Sequence, residues 1–312
     1  MIRFQKTIPL LVLPLALLAC QSSIFVPTAS PLPPTPTVPP IPLGSVVETG
    51  EQPCLGVTCT RVTVACTGIP AVRASVRASG AADSGTVVLL SGGGGTELFS
   101  ESGQLAADMM ASLQADRFLT VEIAWDEPGV WDTAGHAVGS VALGCRFASL
   151  ARWVRDNLHQ GGLFVVQGNS GGAAQVAFAL AYYGIDEFVD LANIGGGPPP
   201  CPLEIPQPER NQMQHRCLYA NAAWDESLQP LLSGQPRLDY PNTTVHFYLG
   251  VYEDSLSITY TAMTFYQAIA SQKTLQILPD TGHQIHLSQA GTQAMLASIR
   301  QAAAAAAATP QP

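Results

Sequence analysis

Charged side chains are scarce in this chain: they make up 12% of its 312 residues, and the formal net charge is -9 at neutral pH. Lysine and arginine form no cluster anywhere in the sequence. Because a polyanion binds to a basic patch, this argues against nucleic acid or an anionic membrane surface as a partner. No paired C-x-x-C accompanies suitably spaced histidines either, so the sequence also disfavours a zinc site.

Apolar runs long enough to cross a bilayer are missing as well. The segment Ile8–Leu18, which follows Arg3 and Lys6, is too short to span one comfortably and fits an export signal. It closes on Leu17-Leu18-Ala19-Cys20, which resembles a bacterial lipobox. We therefore expect residues 1–20 to be a lipoprotein signal peptide and Cys20 to carry a lipid, which anchors the protein in the cell envelope, at the outer membrane or cell surface. An ordinary signal peptide cleaved elsewhere is the alternative.

Proline and threonine dominate the stretch behind this signal. Residues 21–46 are interpreted as a linker, and the part from Pro27 to Pro42 is expected to be an extended, semi-rigid spacer of about 50 Å. No second linker of this kind interrupts the chain from 47 to 312. We interpret that part as one domain.

Six cysteines remain when Cys20 is set aside from the seven in the chain. An even number in an exported protein indicates disulfides, and six cysteines allow fifteen connectivities that the sequence does not separate. A local Cys201–Cys217 bridge is our hypothesis, because both residues lie in a Pro-rich stretch without periodicity.

Hydrophobic patterning predicts alternating strands and helices. The alternating segments Arg61–Cys66 and Ala71–Val76 predict an opening antiparallel hairpin. Further strands are predicted at Thr86–Leu90, Phe118–Trp125, Leu163–Val166, Phe188–Ile194, Thr244–Leu249 and Thr274–Leu278, and helices at Gln104–Ala115, Ser140–Asn157, Gly172–Tyr183, Ser257–Ala270 and Gln289–Ala308. This order predicts an α/β fold with a mostly parallel sheet flanked by helices. A Pro-rich insertion at about 198–241 is interpreted as a lid.

A serine between glycines follows one of these apolar strands. Gly168-Asn169-Ser170-Gly171-Gly172 comes directly after the run Leu163–Val166. A nucleophile elbow has this arrangement, because the chain turns sharply at the serine and the flanking glycines let strand and helix pass closely. The pentapeptide therefore makes Ser170 a candidate nucleophile.

A serine nucleophile needs an imidazole to take its proton and a carboxylate to orient that imidazole. His283, in the loop after the last predicted strand, is the preferred base, and His286 in the same loop is its rival. Asp254, two strands after the elbow, is the preferred acid, because the shorter side chain is the commoner orienting group. The adjacent Glu253 is the alternative acid.

Acyl transfer also needs N–H donors for the developing oxyanion. Gly171 supplies one candidate, and Gly93 or Gly94, in the run after the strand Thr86–Leu90, supplies the other. A flexible turn is the alternative interpretation of that run. No Gly-Lys-Ser or Gly-Lys-Thr follows it, and Glu97 stands where a dinucleotide fingerprint needs its third glycine, so we expect no cofactor.

The ordered set Ser170, Asp254 and His283, with Gly92–Gly95 upstream, resembles the α/β-hydrolase superfamily over about residues 86–300. The resemblance implies an eight-stranded, mostly parallel sheet and acyl-enzyme chemistry. Two positions depart from the family pattern: Ser91 stands where many lipases and esterases have a histidine, and Gly171 where a bulkier residue is common.

The resulting expectation is a secreted, lipid-anchored serine hydrolase that cleaves carboxylic esters in small-molecule or acyl-ester substrates. A peptidase, amidase or acyltransferase would use the same triad, because pocket and lid select the reaction partner. The alternative from another class is a non-catalytic envelope lipoprotein that retains the fold. A complete set of nucleophile, base, acid and glycine donors argues against it, since a binding scaffold does not need them together.

Overall fold

The computed structural model describes residues 39–54, 57–126, 140–197, 236–253 and 256–308. The strands in these residues form one mixed β-sheet. Within these ranges the sheet has nine strands in the order β1-β2-β3-β5-β4-β6-β7-β8-β9. Their bounds are β1 (Ser45–Cys54), β2 (Val57–Ala65), β3 (Val72–Ser79), β4 (Gly85–Leu90), β5 (Phe118–Trp125), β6 (Leu163–Asn169), β7 (Leu191–Gly195), β8 (Thr244–Gly250) and β9 (Lys273–Leu278).

The sheet is parallel from β5 through β4, β6, β7 and β8 to β9. The strands β1, β2 and β3 extend it with antiparallel pairings, the last of them between β3 and β5. The expected mostly parallel sheet is therefore present. The expected number of eight strands is wrong, because the described residues form nine.

Strand β1 is the element that the hydrophobic pattern does not predict. Most of its residues are exposed, so it lacks the alternation of buried and exposed positions by which a strand is recognised. Its pairing with β2, shifted by an irregularity between Glu48 and Gly50, defines it instead. Upstream of it, Ile41 donates its N–H to the Tyr182 carbonyl at 2.8 Å, so contacts with the domain begin before residue 47.

Five α-helices cover the sheet in the described part of the chain: α1 (Gln104–Ala115), α2 (Ser140–Asn157), α3 (Gly171–Tyr183), α4 (Leu256–Ala268) and α5 (Gln289–Ala308). One core joins the sheet to α2, α3 and α4 through residues such as Phe147, Phe178 and Phe265. A second core joins the other face to α1 and α5 through residues such as Met109 and Met295. None of the helices in the described ranges is both long and apolar enough to cross a membrane.

Two disulfides tie the antiparallel extension to itself and to the rest of the domain. Cys54–Cys59 closes the connection between β1 and β2. Cys66–Cys145 joins the end of β2 to helix α2 across a sequence separation of 79. The hypothesised Cys201–Cys217 bridge lies outside the described residues.

The parallel strands bring several loops to one rim of the sheet. The glycine run follows β4, Ser170 follows β6, Gly196 follows β7, Glu253 follows β8 and His283 follows β9. Because carboxyl ends of parallel strands share an edge, residues far apart in the chain meet there. The candidate site lies at this rim.

Candidate active site

Ser170 occupies a strained turn between β6 and α3. Its backbone has φ 53° and ψ -114°, a conformation that few residues other than glycine adopt. Its N–H donates to the Gly195 carbonyl at 2.8 Å, and its carbonyl accepts the Ala174 N–H at 3.0 Å. A Cβ at Gly168 would overlap the backbone of Gly172, so the strand and the helix can approach this closely only because position 168 is glycine.

The His283 imidazole lies against the Ser170 hydroxyl. Nε2 is 2.8 Å from Ser170 Oγ, a hydrogen-bonding distance. His283 follows β9 and its side chain is 27% exposed, whereas His286, the rival base, is buried with 3% of its surface exposed. His283 is thus the imidazole that the structure brings to Ser170.

The carboxylate next to this imidazole belongs to Glu253. Its Oε2 is 2.9 Å from His283 Nδ1, and its side chain is only 3% exposed. Glu253 is the residue that the sequence analysis ranks second, behind Asp254, which lies outside the described residues. A carboxylate on Nδ1 fixes the tautomer in which Nε2 is free to accept the serine proton.

Backbone contacts hold the loops of Glu253 and His283 together. Tyr252 donates its N–H to the Thr281 carbonyl at 2.9 Å. A Cβ at Gly250, where β8 ends, would overlap the carbonyl oxygens of Thr281 and Gly282. The Glu253 carboxylate therefore approaches the His283 imidazole because Gly250 lets the two loops pack closely.

The glycine run after β4 packs directly on the elbow. A Cβ at Gly171 would overlap the Gly93 carbonyl oxygen and lie 3.4 Å from the Gly93 nitrogen. This explains why position 171 has no bulkier side chain. The N–H groups of Gly93, Gly94 and Gly171 donate to no acceptor among the residues that the structure describes. These are the amides that the sequence analysis names as oxyanion donors.

Ser91 braces this run. Its buried hydroxyl donates to the Glu97 carbonyl at 2.7 Å, while Gly95 donates its N–H to the Gly92 carbonyl at 3.0 Å. Beneath the run, Trp125 Nε1 donates to Gln175 Oε1 at 3.2 Å. Trp125 is 1% exposed, so it covers the core under the glycines and does not line an open pocket.

His286 stays uncharged beside the site. Burial, and secondarily the nearby His283, lower its pKa from 6.5 to about 4. Its ring packs against Phe99 with centroids 5.4 Å apart, and its buried Nδ1 has no hydrogen-bond partner within the described part of the chain. A neutral imidazole in this position adds no positive charge near His283.

Some predicted features fall outside the described residues. They are Cys20, Asp254 and most of the lid expected at about 198–241, of which only residues 236–241 are described. In the described ranges, no group of three or more His, Cys, Asp or Glu residues is arranged to hold a metal ion.

Asn169 is a residue to which the sequence analysis assigns no role. It lies inside the serine motif, and its Oδ1 accepts the Ile285 N–H at 3.0 Å. The only signal in the sequence is its position next to Ser170, because its partner Ile285 is 116 residues away in the chain.

No protein-family model matches this sequence. No curated protein matches it significantly either.

Solved structures do share its fold. An esterase from Pyrobaculum calidifontis has a TM-score of 0.53 and 15% identity, with 86% of this chain and 87% of that chain covered. An acetyl xylan esterase from Paenibacillus sp. R4 has a TM-score of 0.52 and 13% identity, with 84% and 89% covered. For Est1E from Butyrivibrio proteoclasticus the TM-score is 0.52 and the identity 10%, with 84% and 100% covered. The chain therefore has an α/β-hydrolase-type fold.

Proposed function

We propose that this protein is a serine hydrolase that cleaves carboxylic esters, with Ser170 as nucleophile, His283 as general base and Glu253 as the carboxylate that orients it. The observation that carries the proposal is the unbroken line of hydrogen bonds from Ser170 Oγ to His283 Nε2, at 2.8 Å, and from His283 Nδ1 to Glu253 Oε2, at 2.9 Å. A hydroxyl, an imidazole and a buried carboxylate in this order are the parts that acyl transfer requires.

In the acylation step, Ser170 Oγ attacks the ester carbonyl carbon while His283 Nε2 takes the hydroxyl proton. The tetrahedral intermediate collapses by breaking the bond to the alcohol oxygen, which receives that proton from His283. Water then attacks the acyl-enzyme, again losing its proton to His283, and Ser170 leaves with the proton returned. Glu253 stabilises the imidazolium that forms in both steps but does not itself change protonation.

The oxyanion of each intermediate is assigned to backbone amides. Gly171 begins helix α3, where the N–H groups have no acceptor within the helix. Gly93 is the preferred second donor, because its nitrogen lies close to Gly171, and Gly94 is the alternative. Ser91 keeps the glycine run in place for this role.

Ester hydrolysis is preferred over related reactions because two of the structural neighbours described above, from Paenibacillus sp. R4 and Pyrobaculum calidifontis, are named as esterases. Amide cleavage or transfer of the acyl group to another acceptor would use the same side chains. Anchoring through a lipid on Cys20, outside the cytoplasm, is proposed from the sequence Leu17-Leu18-Ala19-Cys20 alone.

A fluorophosphonate probe tests the proposal. We expect it to label the wild-type protein and a Ser112→Ala control, which removes a serine from helix α1 away from the rim, and to leave Ser170→Ala unlabelled. Labelling that persists in Ser170→Ala refutes the assignment of the nucleophile. A panel of p-nitrophenyl esters beside peptide anilides then distinguishes an esterase from an amidase, and absence of turnover on every ester favours the non-catalytic alternative.

A further inference from the structure

The side chain of Asn169 lies where the loops of the candidate site converge. Asn169 is the last residue of β6, directly before Ser170, and is 1% exposed. Its Oδ1 is 3.5 Å from the position that a Cβ on Gly195 would take, and its Nδ2 is 3.6 Å from the corresponding position on Gly92. The amide group is thus enclosed between the end of β7 and the glycine run.

Its hydrogen bond reaches the loop that carries His283. Oδ1 accepts the Ile285 N–H at 3.0 Å, and the same N–H also lies 3.1 Å from the His283 carbonyl. The intervening Gln284 has φ -85° and ψ 78°, which is the conformation of an inverse γ-turn. Asn169 therefore holds the closing N–H of the tight turn that presents the imidazole.

Packing also holds both ends of this turn. Ile285 is completely buried, and a Cβ at Gly196 would overlap the His283 carbonyl oxygen. Packing limits how far the turn can move, whereas the Asn169 bond is directional and links the turn to the residue next to Ser170. A single side chain thereby couples the position of the base to that of the nucleophile.

We propose that Asn169 is a positioning residue, which fixes His283 relative to Ser170 by accepting the Ile285 N–H. The inference rests on the proposed function for its catalytic consequence. A misplacement of about 1 Å in a reacting group can cost about 100-fold in rate. Loss of the bond should therefore lower kcat and leave KM almost unchanged, since Asn169 is buried and is not proposed to bind substrate.

Two substitutions of similar shape separate the hydrogen bond from packing. Asn169→Leu removes the acceptor, and we expect kcat for a p-nitrophenyl ester to fall about 10- to 100-fold with KM within about twofold. Asn169→Asp keeps an acceptor oxygen, and we expect it to recover most of kcat at alkaline pH. Its added negative charge favours the imidazolium form of His283, so the acid limb of the kcat/KM profile should move to higher pH.

The control is Asn193→Leu, which removes another buried asparagine whose bonds go to Gln167 and Ser298 instead of the His283 loop. It should lower the melting temperature without the loss of kcat per folded molecule. The proposal is overturned if Asn169→Leu keeps kcat within about threefold of wild type, or if Asn169→Asp loses as much as Asn169→Leu and its pH profile does not move.

A readout independent of turnover distinguishes failure of this inference from failure of the proposed function. Hydrogen–deuterium exchange of the Ile285 amide should accelerate in Asn169→Leu and not in Asn169→Asp. Unchanged exchange of the Ile285 amide in Asn169→Leu refutes the positioning role of Asn169, even if the wild-type protein hydrolyses esters. If Asn169→Leu accelerates the exchange but fluorophosphonates do not label the wild-type protein, the positioning role of Asn169 is supported and the proposed hydrolase function is refuted.

Discussion

Replacing Glu253 by glutamine tests the assignment of the acid most directly. The substitution keeps the shape and an acceptor for His283 Nδ1 but removes a charge that lies 2.9 Å from the ring and is almost buried. At a separation of about 4 Å and an effective dielectric constant of about 20, the lost attraction to the imidazolium is about 4 kcal/mol. That corresponds to a loss of about 1000-fold in kcat.

The assay is hydrolysis of a p-nitrophenyl ester by Glu253→Gln, normalised to folded protein by circular dichroism. Asp254→Asn is the matched control, since it neutralises the neighbouring carboxylate and should keep near-normal turnover. The reasoning is refuted if Glu253→Gln retains turnover within about threefold of wild type. If Asp254→Asn instead loses this much turnover, the role of the acid belongs to Asp254, as predicted from the sequence.

Two further predictions concern stability. The pKa of His286 falls from 6.5 in its free form to about 4 on folding. Between these pH values the unfolded chain therefore binds a proton at His286 that the folded protein does not bind. The contribution of His286 to the free energy of unfolding should be complete above pH 6.5 and decline by about 3 kcal/mol as the pH falls to 4. Urea unfolding should therefore show a weaker decline in stability over this pH range for His286→Phe than for the wild type. An identical decline in the two proteins would contradict the prediction. Replacing both members of Cys66–Cys145 by serine should cost about 2.5 kcal/mol more than the same change in Cys54–Cys59, because loop closure in the unfolded chain depends on the separations of 79 and 5 residues. Equal losses in urea unfolding would count against this explanation.

Most of the sheet and helices could be predicted from the sequence because burial leaves a periodic pattern. Thr86–Leu90 is continuously apolar, and the structure buries every residue of β4 between helices. The helix predicted at Gln104–Ala115 has the same bounds as α1. The sequence also places Ser170 and His283 after parallel strands, whose ends must share an edge, so it anticipates that the two side chains can meet.

What the sequence does not determine depends on contacts between distant segments. Hydrophobic periodicity cannot reveal β1, because most of its side chains are exposed. Glu253 and Asp254 are adjacent carboxylates, and the direction of the Glu253 side chain depends on the turn after β8 packing against Thr281. The pairing of Cys66 with Cys145 likewise follows from the position of α2 over β2, which is a property of the assembled fold.

Close backbone packing at the rim explains why the sequence indicates the residues of the candidate site but not the distances between them. A Cβ at Gly171 would overlap the Gly93 carbonyl, one at Gly196 the His283 carbonyl, and one at Gly250 the Thr281 carbonyl. Each of these glycines lets two loops approach more closely than side chains would permit. The kinds of side chain in the candidate site can therefore be recognised in the sequence, whereas the distances between them depend on glycines that have no side chain. It follows that a methyl group added at any of these glycines should displace the side chains of the candidate site while leaving all of them present.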